Sequence, residues 1–456
     1  MKIQKFILRA ALMFGIPFVA LAEPPQVFNL DNGMRVIVRE DHRVPVAVNM
    51  VWYRVGSMDE TNGTTGVAHV LEHMMFKGTD KYPEGSLSKT VARLGGKDNA
   101  FTNTDYTGYY QQLPAENLEK VIEMEADRMN GLLFRKEDFD KEIKVVREER
   151  RWRTEDRPEG LLVESLRATA FTAHPYHWPV VGWMDDLNHM TLEDASAWYR
   201  KWYAPNNATM VVVGDVKAQD VLALAKKYFG SLPRETFSRG KPQAEPLQRG
   251  IRRVTVNAPA ENPTLVLAYK APALRDVEKD DDVYALRVLS SVLDGYENAR
   301  MKSELVLNEK VALDVETEYT ALARGPSLFV ISAIPAKGVS VEKLEKRMRK
   351  SVADIAEKGV SPAELKRVKT QLVASQIYKR DSMFGQAMEI GLYEMSGIGC
   401  QQADRVIEKL KAVTPEQVKR VAGQYFHEDQ LTVAELVPVA LPKQPENPEQ
   451  NSSTLS

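Results

Sequence analysis

The chain has 456 residues, 43% hydrophobic and 27% charged, a composition that excludes a disordered, collagenous or low-complexity protein. Lys plus Arg total 61 and Asp plus Glu 63, a net charge of −2, which excludes a nucleic-acid footprint on the scale of the whole chain. At about 150 residues per domain, the length accommodates two or three domains.

The N-terminus carries Lys2, Lys5 and Arg9, then an apolar stretch from about Ile7 to Leu21, then Ala20-Leu21-Ala22 ahead of Glu23. This is the pattern of a secretory signal over residues 1–22, cleaved after Ala22, with a retained anchor as the alternative. The expected location is the periplasm or the exterior. No later stretch reaches the roughly 18 uncharged apolar residues of a spanning helix. Cys400 is the single cysteine, so no intramolecular disulfide is available and burial must supply the stability.

From residue 27 the pattern mixes strands and helices. Val36 to Val38 and Val46 to Val55 read as strands, Thr65 to Phe76 and Ser86 to Leu94 as helices, and Thr107 to Leu113 as a strand. Amphipathic helices follow over Ala115 to Asn130 and Lys136 to about Arg153. Thr191 to Trp202 opens with a capping-box pattern, Thr191 with Asp194, and leads into a buried strand over Ala208 to Val213. The hydrophobic signal then collapses, which marks residues 236–250 as a linker. Beyond it the element order returns: strand (Thr264 to Tyr269), helix (Asp281 to Leu293), strand (Ser327 to Ile334), two long helices (Val341 to Glu357, Pro362 to Tyr378), then a closing helix and strand. The closing helices open at Thr191 and Thr414, 223 residues apart. We therefore expect an α+β protein of two homologous domains, 23–235 and 251–437, each an antiparallel sheet packed with helices. The proline-rich tail, 438–456, is expected to be disordered.

The chemistry concentrates in His69-Val70-Leu71-Glu72-His73. At 100° per residue, His73 lies about 40° round the helix from His69 and Glu72 about 60° to the other side, so all three share a face. Two imidazoles one turn apart chelate a metal ion, and the carboxylate beside them is placed to take a proton from water on that ion, the H-x-x-E-H arrangement of a metallopeptidase. A catalytic zinc needs a third ligand. The helix from Lys136 offers Glu142, Glu148 and Glu149; Glu142 and Glu149 share a face within about 20°, and spacing alone does not choose between ligand and supporting carboxylate.

Trp52-Tyr53-Arg54-Val55-Gly56-Ser57, and Gly66 through His69, Glu72, His73 to Thr79, closely resemble the pitrilysin or insulinase family of zinc peptidases in its short, processing-peptidase-like branch. Asn99-Ala100-Phe101-Thr102, Asp105-Tyr106-Thr107, Tyr109-Tyr110, His174-Pro175-Tyr176 and Pro205-Asn206-Asn207 extend the likeness across residues 27 to 437. The resemblance implies Glu149 as third ligand, 76 residues beyond His73, and Glu142 as its supporting carboxylate. It also implies a peptide substrate that adds as a strand beside Asn99, Ala100 and Phe101, with Tyr106 or Tyr110 assisting at the scissile carbonyl.

The second half departs from the site. An offset of 222 or 223 carries the ligands to Ser291 or Val292, Gly295 or Tyr296, and Gln371 or Leu372, none a zinc set. The Arg and Tyr, seven apart, that competent members use to bind substrate are replaced by Leu307 and Asp314. The expectation is a zinc endopeptidase with one Zn2+ per chain, acting on peptides or unfolded segments in a clam-shell chamber. A homologous subunit would supply the Arg/Tyr half, failing which the chain would pair as a homodimer. A non-catalytic, peptide-binding scaffold subunit is the alternative.

Overall fold

The computed structural model describes residues 24–440, so the signal expected over 1–22 and the tail beyond 440 lie outside the described residues. The first half builds a six-stranded sheet from β1 (Gln26–Asn29), β2 (Arg35–Glu40), β3 (Val46–Tyr53), β4 (Lys97–Thr102), β5 (Thr107–Pro114) and β6 (Ala208–Gly214), in the order β1-β2-β6-β3-β5-β4. The second builds five strands, β7 (Arg252–Pro259), β8 (Thr264–Ala271), β9 (Ala312–Tyr319), β10 (Ser327–Pro335) and β11 (Leu431–Val439), in the order β7-β11-β8-β10-β9. Leaving β1 aside, the two orders are the same.

Two details differ from the sequence reading. The sheets are not purely antiparallel: β2 pairs with β6, and β7 with β11, in parallel. β6 and β11 each return after a long helical excursion, which frees them from hairpin geometry. Strand β11 also runs through Pro438, paired with Ala258, to Val439, so ordered chain continues past the expected start of the tail.

β3 and β6 lie inside the first sheet, and their near-continuous apolar runs are buried on both faces. β4 is outermost, with the half-polar sequence Lys-Asp-Asn-Ala-Phe-Thr, and leaves one edge unpaired. One face of this sheet, with Val51, Tyr53, Tyr109 and Val212, packs beneath helix α1 (Val67–Met74) through Val67, Val70, Leu71 and Met74. The chain continues through α2 (Ser86–Arg93), α3 (Leu118–Gly131), α4 (Lys136–Arg150) and α5 (Pro158–Ala170).

The halves exchange helices. The opposite face of the first sheet, with Met50, Trp52, Val211 and Val213, shares a core with Ala387 and Ile390 of the helix Met383–Ser396 from the second half. A Cβ at Gly391 of that helix would stand 2.1 Å from the Trp52 ring, so only glycine permits this approach. Reciprocally, Leu162 and Leu166 of α5 pack on Ala258, Val266, Ala434 and Leu436 of the second sheet. Arg324 crosses the same boundary, pairing with Asp59 and donating to the Asp105 carbonyl.

Between Phe229 and Arg252 there is neither helix nor strand. That segment is nonetheless anchored: Glu245 accepts from the backbone N–H groups of Thr172, Ala173 and His174, and from Lys270 on β8. Cys400 is buried, and burial pushes its thiol up to about 12, as suits a packed rather than reactive cysteine.

Candidate metal centre

Helix α1 starts abruptly. Gly66 takes a left-handed φ of +88°, and a Cβ there would meet the Val181 carbonyl at 2.3 Å. The first turn is held from outside: Glu60 accepts from the N–H groups of Gly66 at 2.8 Å and Ala68 at 2.9 Å. Asp186 accepts from Gly63 and Thr65 just upstream. Burial pushes the Glu60 carboxyl up to about 8, against the two N–H donors that favour its charge. These contacts fix the axial position of the helix that carries His69, Glu72 and His73.

Helix α4 crosses α1 and supplies the third group. His69 Nε2 lies 3.6 Å and His73 Nε2 3.3 Å from the same Glu149 Oε2. All three donor atoms fall within 4.8 Å of one another, and this is the one such cluster of three or more among the described residues. Glu142, which the helix repeat places on the same face, meets the other nitrogen of His73, with Oε2 3.1 Å from Nδ1, while its Oε1 pairs with Lys77 at 2.6 Å. Glu148 turns away to pair with Arg151 and has a side chain 68% exposed. The choice that spacing left open is therefore made by which carboxylates reach the imidazoles.

The ionisation states follow from this packing. Burial and the neighbouring His73 push His69 down to about 4. Burial also opposes charge on His73, but hydrogen bonding to Glu142 and Glu149 outweighs it and raises the ring to about 9. The contact with His73 holds Glu149 at about 2. Burial pushes Glu72 up, while a hydrogen bond from the Thr102 hydroxyl to Glu72 Oε2 works the other way. Arg153, in a π-type turn that continues α4, pairs with the remaining oxygen of Glu149 at 2.6 Å.

The strand residues divide between the two faces of the sheet. Asn99 is exposed on β4, and its Oδ1 accepts from the Ala100 N–H at 2.9 Å. Phe101 packs edge-on against Trp52, with ring centroids 5.0 Å apart, on the face away from α1. Tyr106 stands edge-on to Trp52 at 5.1 Å, and Tyr110 edge-on to Phe384 at 4.9 Å, on that same far face. Neither tyrosine is brought to the His69, Glu72, His73 cluster, so assistance at a scissile carbonyl by Tyr106 or Tyr110 has no support in this placement. Of Tyr106, Tyr109 and Tyr110, the one on the α1 face is Tyr109, whose hydroxyl is engaged with that of Tyr203 at 2.8 Å. His174 is buried, accepting the Tyr176 N–H at Nδ1, and the His177 ring stands edge-on to Trp178.

Sequence reasoning missed Glu60, Lys77, Thr102 and Arg153. Arg153, four residues beyond Glu149, was open to an i,i+4 argument, whereas Lys77 lies past the end of α1 and pairs with Glu142 on another helix. Glu60 and Thr102 come from other segments and leave no periodic signal.

In the second half, Val292 is buried in the helix Asp281–Asp294, and Leu307 is exposed. The offset between matching elements is a few residues shorter at β3 and β8 (Val46 against Thr264) than at β6 and β11 (Ala208 against Leu431). The position matching His69 therefore slides from Ser291 or Val292 towards Arg287 to Leu289, still without a ligand.

A family model described as Insulinase (Peptidase family M16) matches residues 35–182, and one described as Peptidase M16 inactive domain matches residues 189–372. The chain is 34% identical over 416 residues to the zinc protease PqqE of Helicobacter pylori, covering 90% of this chain and 92% of that one. It is 26% identical over 430 residues to a probable mitochondrial-processing peptidase subunit beta of Arabidopsis thaliana, covering 92% and 79%. The crystal structure of a protease from Helicobacter pylori superimposes with a TM-score of 0.86 at 32% identity, over 92% of this chain and 100% of that one. The fold alone is shared with the periplasmic protease PqqL of Escherichia coli, at a TM-score of 0.76 and 20% identity, where 93% of this chain spans 50% of the other.

A zinc ion, the metal in the relative's name, suits the donor set. With Zn–N and Zn–O bonds near 2.0–2.1 Å, tetrahedral ligand atoms stand roughly 3.3 Å apart, close to the separations of 3.3 and 3.6 Å from Glu149 to the two imidazoles. Two imidazoles and one carboxylate leave a fourth position open, as in catalytic rather than structural sites. The site motif, the matched length and the fold agree, and the chain belongs to the insulinase family, peptidase family M16.

Proposed function

We propose that this chain is an exported zinc endopeptidase that hydrolyses peptides or unfolded segments, with Glu72 as its general base. The observation that carries the reading is the convergence of His69 Nε2, His73 Nε2 and Glu149 Oε2 beside a Glu72 that is not used as a ligand. His69, His73 and Glu149 would hold the ion, which supplies Lewis-acid activation of a water molecule and of the scissile carbonyl. Glu72 takes one proton from the attacking water as oxygen bonds to the carbonyl carbon, then delivers it to the amide nitrogen as the C–N bond breaks. Glu142 holds the His73 ring with Nε2 turned towards Glu149, the orientation in which it would bind the ion. The substrate pairs as an added strand on the open edge of β4, beside Asn99, Ala100 and Phe101, through main-chain hydrogen bonds.

A homologous subunit completes the chamber in this reading. Leu307 and Asp314 stand where the family resemblance expects an Arg and a Tyr, and this chain spans half the length of the PqqL chain whose fold it shares. The model described as inactive matches 189–372, a stretch without His69, Glu72, His73 or Glu149, so that description does not bear on the residues of the site. The scaffold alternative has nothing comparable in its favour, because a structural ion has no use for a free carboxylate at Glu72. The discriminating experiment compares wild type with Glu72→Gln on a quenched fluorescent peptide library, alone and with candidate homologous subunits. The reading expects cleavage by wild type, loss of at least about 10³-fold in Glu72→Gln, and equal zinc content. Cleavage by Glu72→Gln at the wild-type rate would refute it.

A further inference from the structure

Thr102 is the last residue of β4, and two of its properties bear on different parts of the reaction. The first is its main chain. Asn103 N–H donates to the Tyr106 carbonyl at 2.8 Å, closing the hairpin between β4 and β5. In an antiparallel ladder every second residue faces the partner strand, so Phe101 and Asn99 bond to β5. Asp98, Ala100 and Thr102 therefore present their N–H and C=O groups to the unpaired edge. The Ala100 N–H is taken by the Asn99 side chain, as an outward-facing group would be.

The second property is its side chain. Period-two alternation puts Phe101 on the far face against Trp52 and turns Thr102 to the face covered by α1. There its hydroxyl donates to Glu72 Oε2 at 2.5 Å. A hydroxyl has one proton, and Thr102 gives it to that oxygen, which fixes the plane of the carboxylate and leaves Oε1 uncommitted.

We propose that Thr102 is a positioning residue that couples substrate pairing to the base: its peptide groups meet the added strand and its hydroxyl sets the Glu72 carboxylate, with Oε1 turned to the reacting water. This rests on the peptidase reading above and adds to it a link between the strand edge and the proton-transfer step. A substrate strand that seats fully on β4 holds Thr102 in the register it already has with Thr107, and holds Glu72 with it. A peptide too short to reach Thr102 gains less of that orientation and is turned over more slowly, at a cost in kcat.

The test uses the zinc-loaded full chain, with whatever subunit the wild type requires for cleavage. Thr102→Val removes the hydroxyl and keeps the shape, and Thr102→Ser restores it. The coupling predicts that Thr102→Val lowers kcat by roughly 10- to 100-fold, leaves KM within about twofold and leaves zinc content unchanged, while Thr102→Ser recovers kcat to within about threefold. In a Glu72→Gln background, where the peptide binds uncleaved, adding Thr102→Val leaves its Kd within about twofold. A wild-type kcat in Thr102→Val, a Thr102→Ser protein as impaired as Thr102→Val, or a loss lying wholly in KM or in zinc content would overturn the proposal. If the wild type cleaves nothing, the peptidase reading falls and the coupling with it; if Glu72→Gln cleaves at the wild-type rate, Glu72 is not the base and the coupling falls. If Glu72→Gln is inactive and Thr102→Val is unimpaired, the coupling alone falls.

Discussion

His73 Nδ1 stands 3.1 Å from Glu142 Oε2, and that contact leaves Nε2 as the nitrogen turned to Glu149. A carboxylate behind a ligating imidazole fixes its tautomer and raises its basicity. Glu142→Ala is expected to weaken zinc binding by about 10- to 100-fold while Glu142→Gln loses less, measured by competition with a chelator. Equal affinities in all three proteins would show that Glu142 does not orient His73.

The boundary between the halves holds a buried ion pair. Arg324 and Asp59 have side chains each 8% exposed, and Arg324 also serves Asp105 through its backbone N–H. Asp59 keeps Arg239 at 3.1 Å when Arg324 is removed, so Arg324→Ala is expected to destabilise by about 1.5–3 kcal/mol in denaturant unfolding, less than the loss of an isolated buried pair. A loss below about 1 kcal/mol would mean that Arg239 alone satisfies Asp59.

The exchanged helix makes a sharper steric prediction. A methyl group at Gly391 overlaps the Trp52 ring, and neither can withdraw without disturbing the sheet. Gly391→Ala is expected to cost about 1–3 kcal/mol by overpacking, read from the shift in urea midpoint. An unchanged midpoint would contradict the close approach of helix and sheet.

Glu245 gives the segment between the halves an acid-sensitive clasp. Burial alone would raise its carboxyl, but the N–H groups of Thr172, His174 and Ala173, together with Lys270, hold it down at about 2. A depressed carboxyl contributes stability that is complete above the ordinary Glu value of about 4.3 and is lost as pH falls towards 2. Glu245→Gln should therefore unfold at a lower temperature than wild type at pH 6. The gap should narrow below about pH 4 and close near pH 2, followed by circular dichroism melts. A gap independent of pH would show that the charge on Glu245 does not contribute.

The parts of the fold with buried, periodic sequence were legible. β3, β6 and the helix Asp281–Asp294 are apolar runs because both faces, or nearly the whole circumference, are covered. The edge elements were not: β4 and β9 carry charged or polar residues on their solvent side, and half-exposed strands of this kind resemble loops. The helix exchange was invisible too, since an amphipathic stripe records that a face is buried and not which sheet covers it. At the site, the His69, Glu72, His73 face followed from helix geometry, whereas the partner from α4 needed either the family resemblance or the coordinates. The strand alternation was available and would have separated Tyr109 from Tyr106 and Tyr110: Ala100 opposes Tyr109, and cross-strand partners share a face.

The central claim is that His69, His73 and Glu149 hold one zinc ion. Elemental analysis after zinc loading and desalting, on wild type and on Glu149→Ala, tests it most directly. About one zinc per chain is predicted for wild type, removable by a chelator with loss of peptide cleavage and restorable on re-addition, with far weaker retention in Glu149→Ala. A wild-type chain that takes up no zinc, or a Glu149→Ala chain that holds it as tightly as wild type, would contradict the claim.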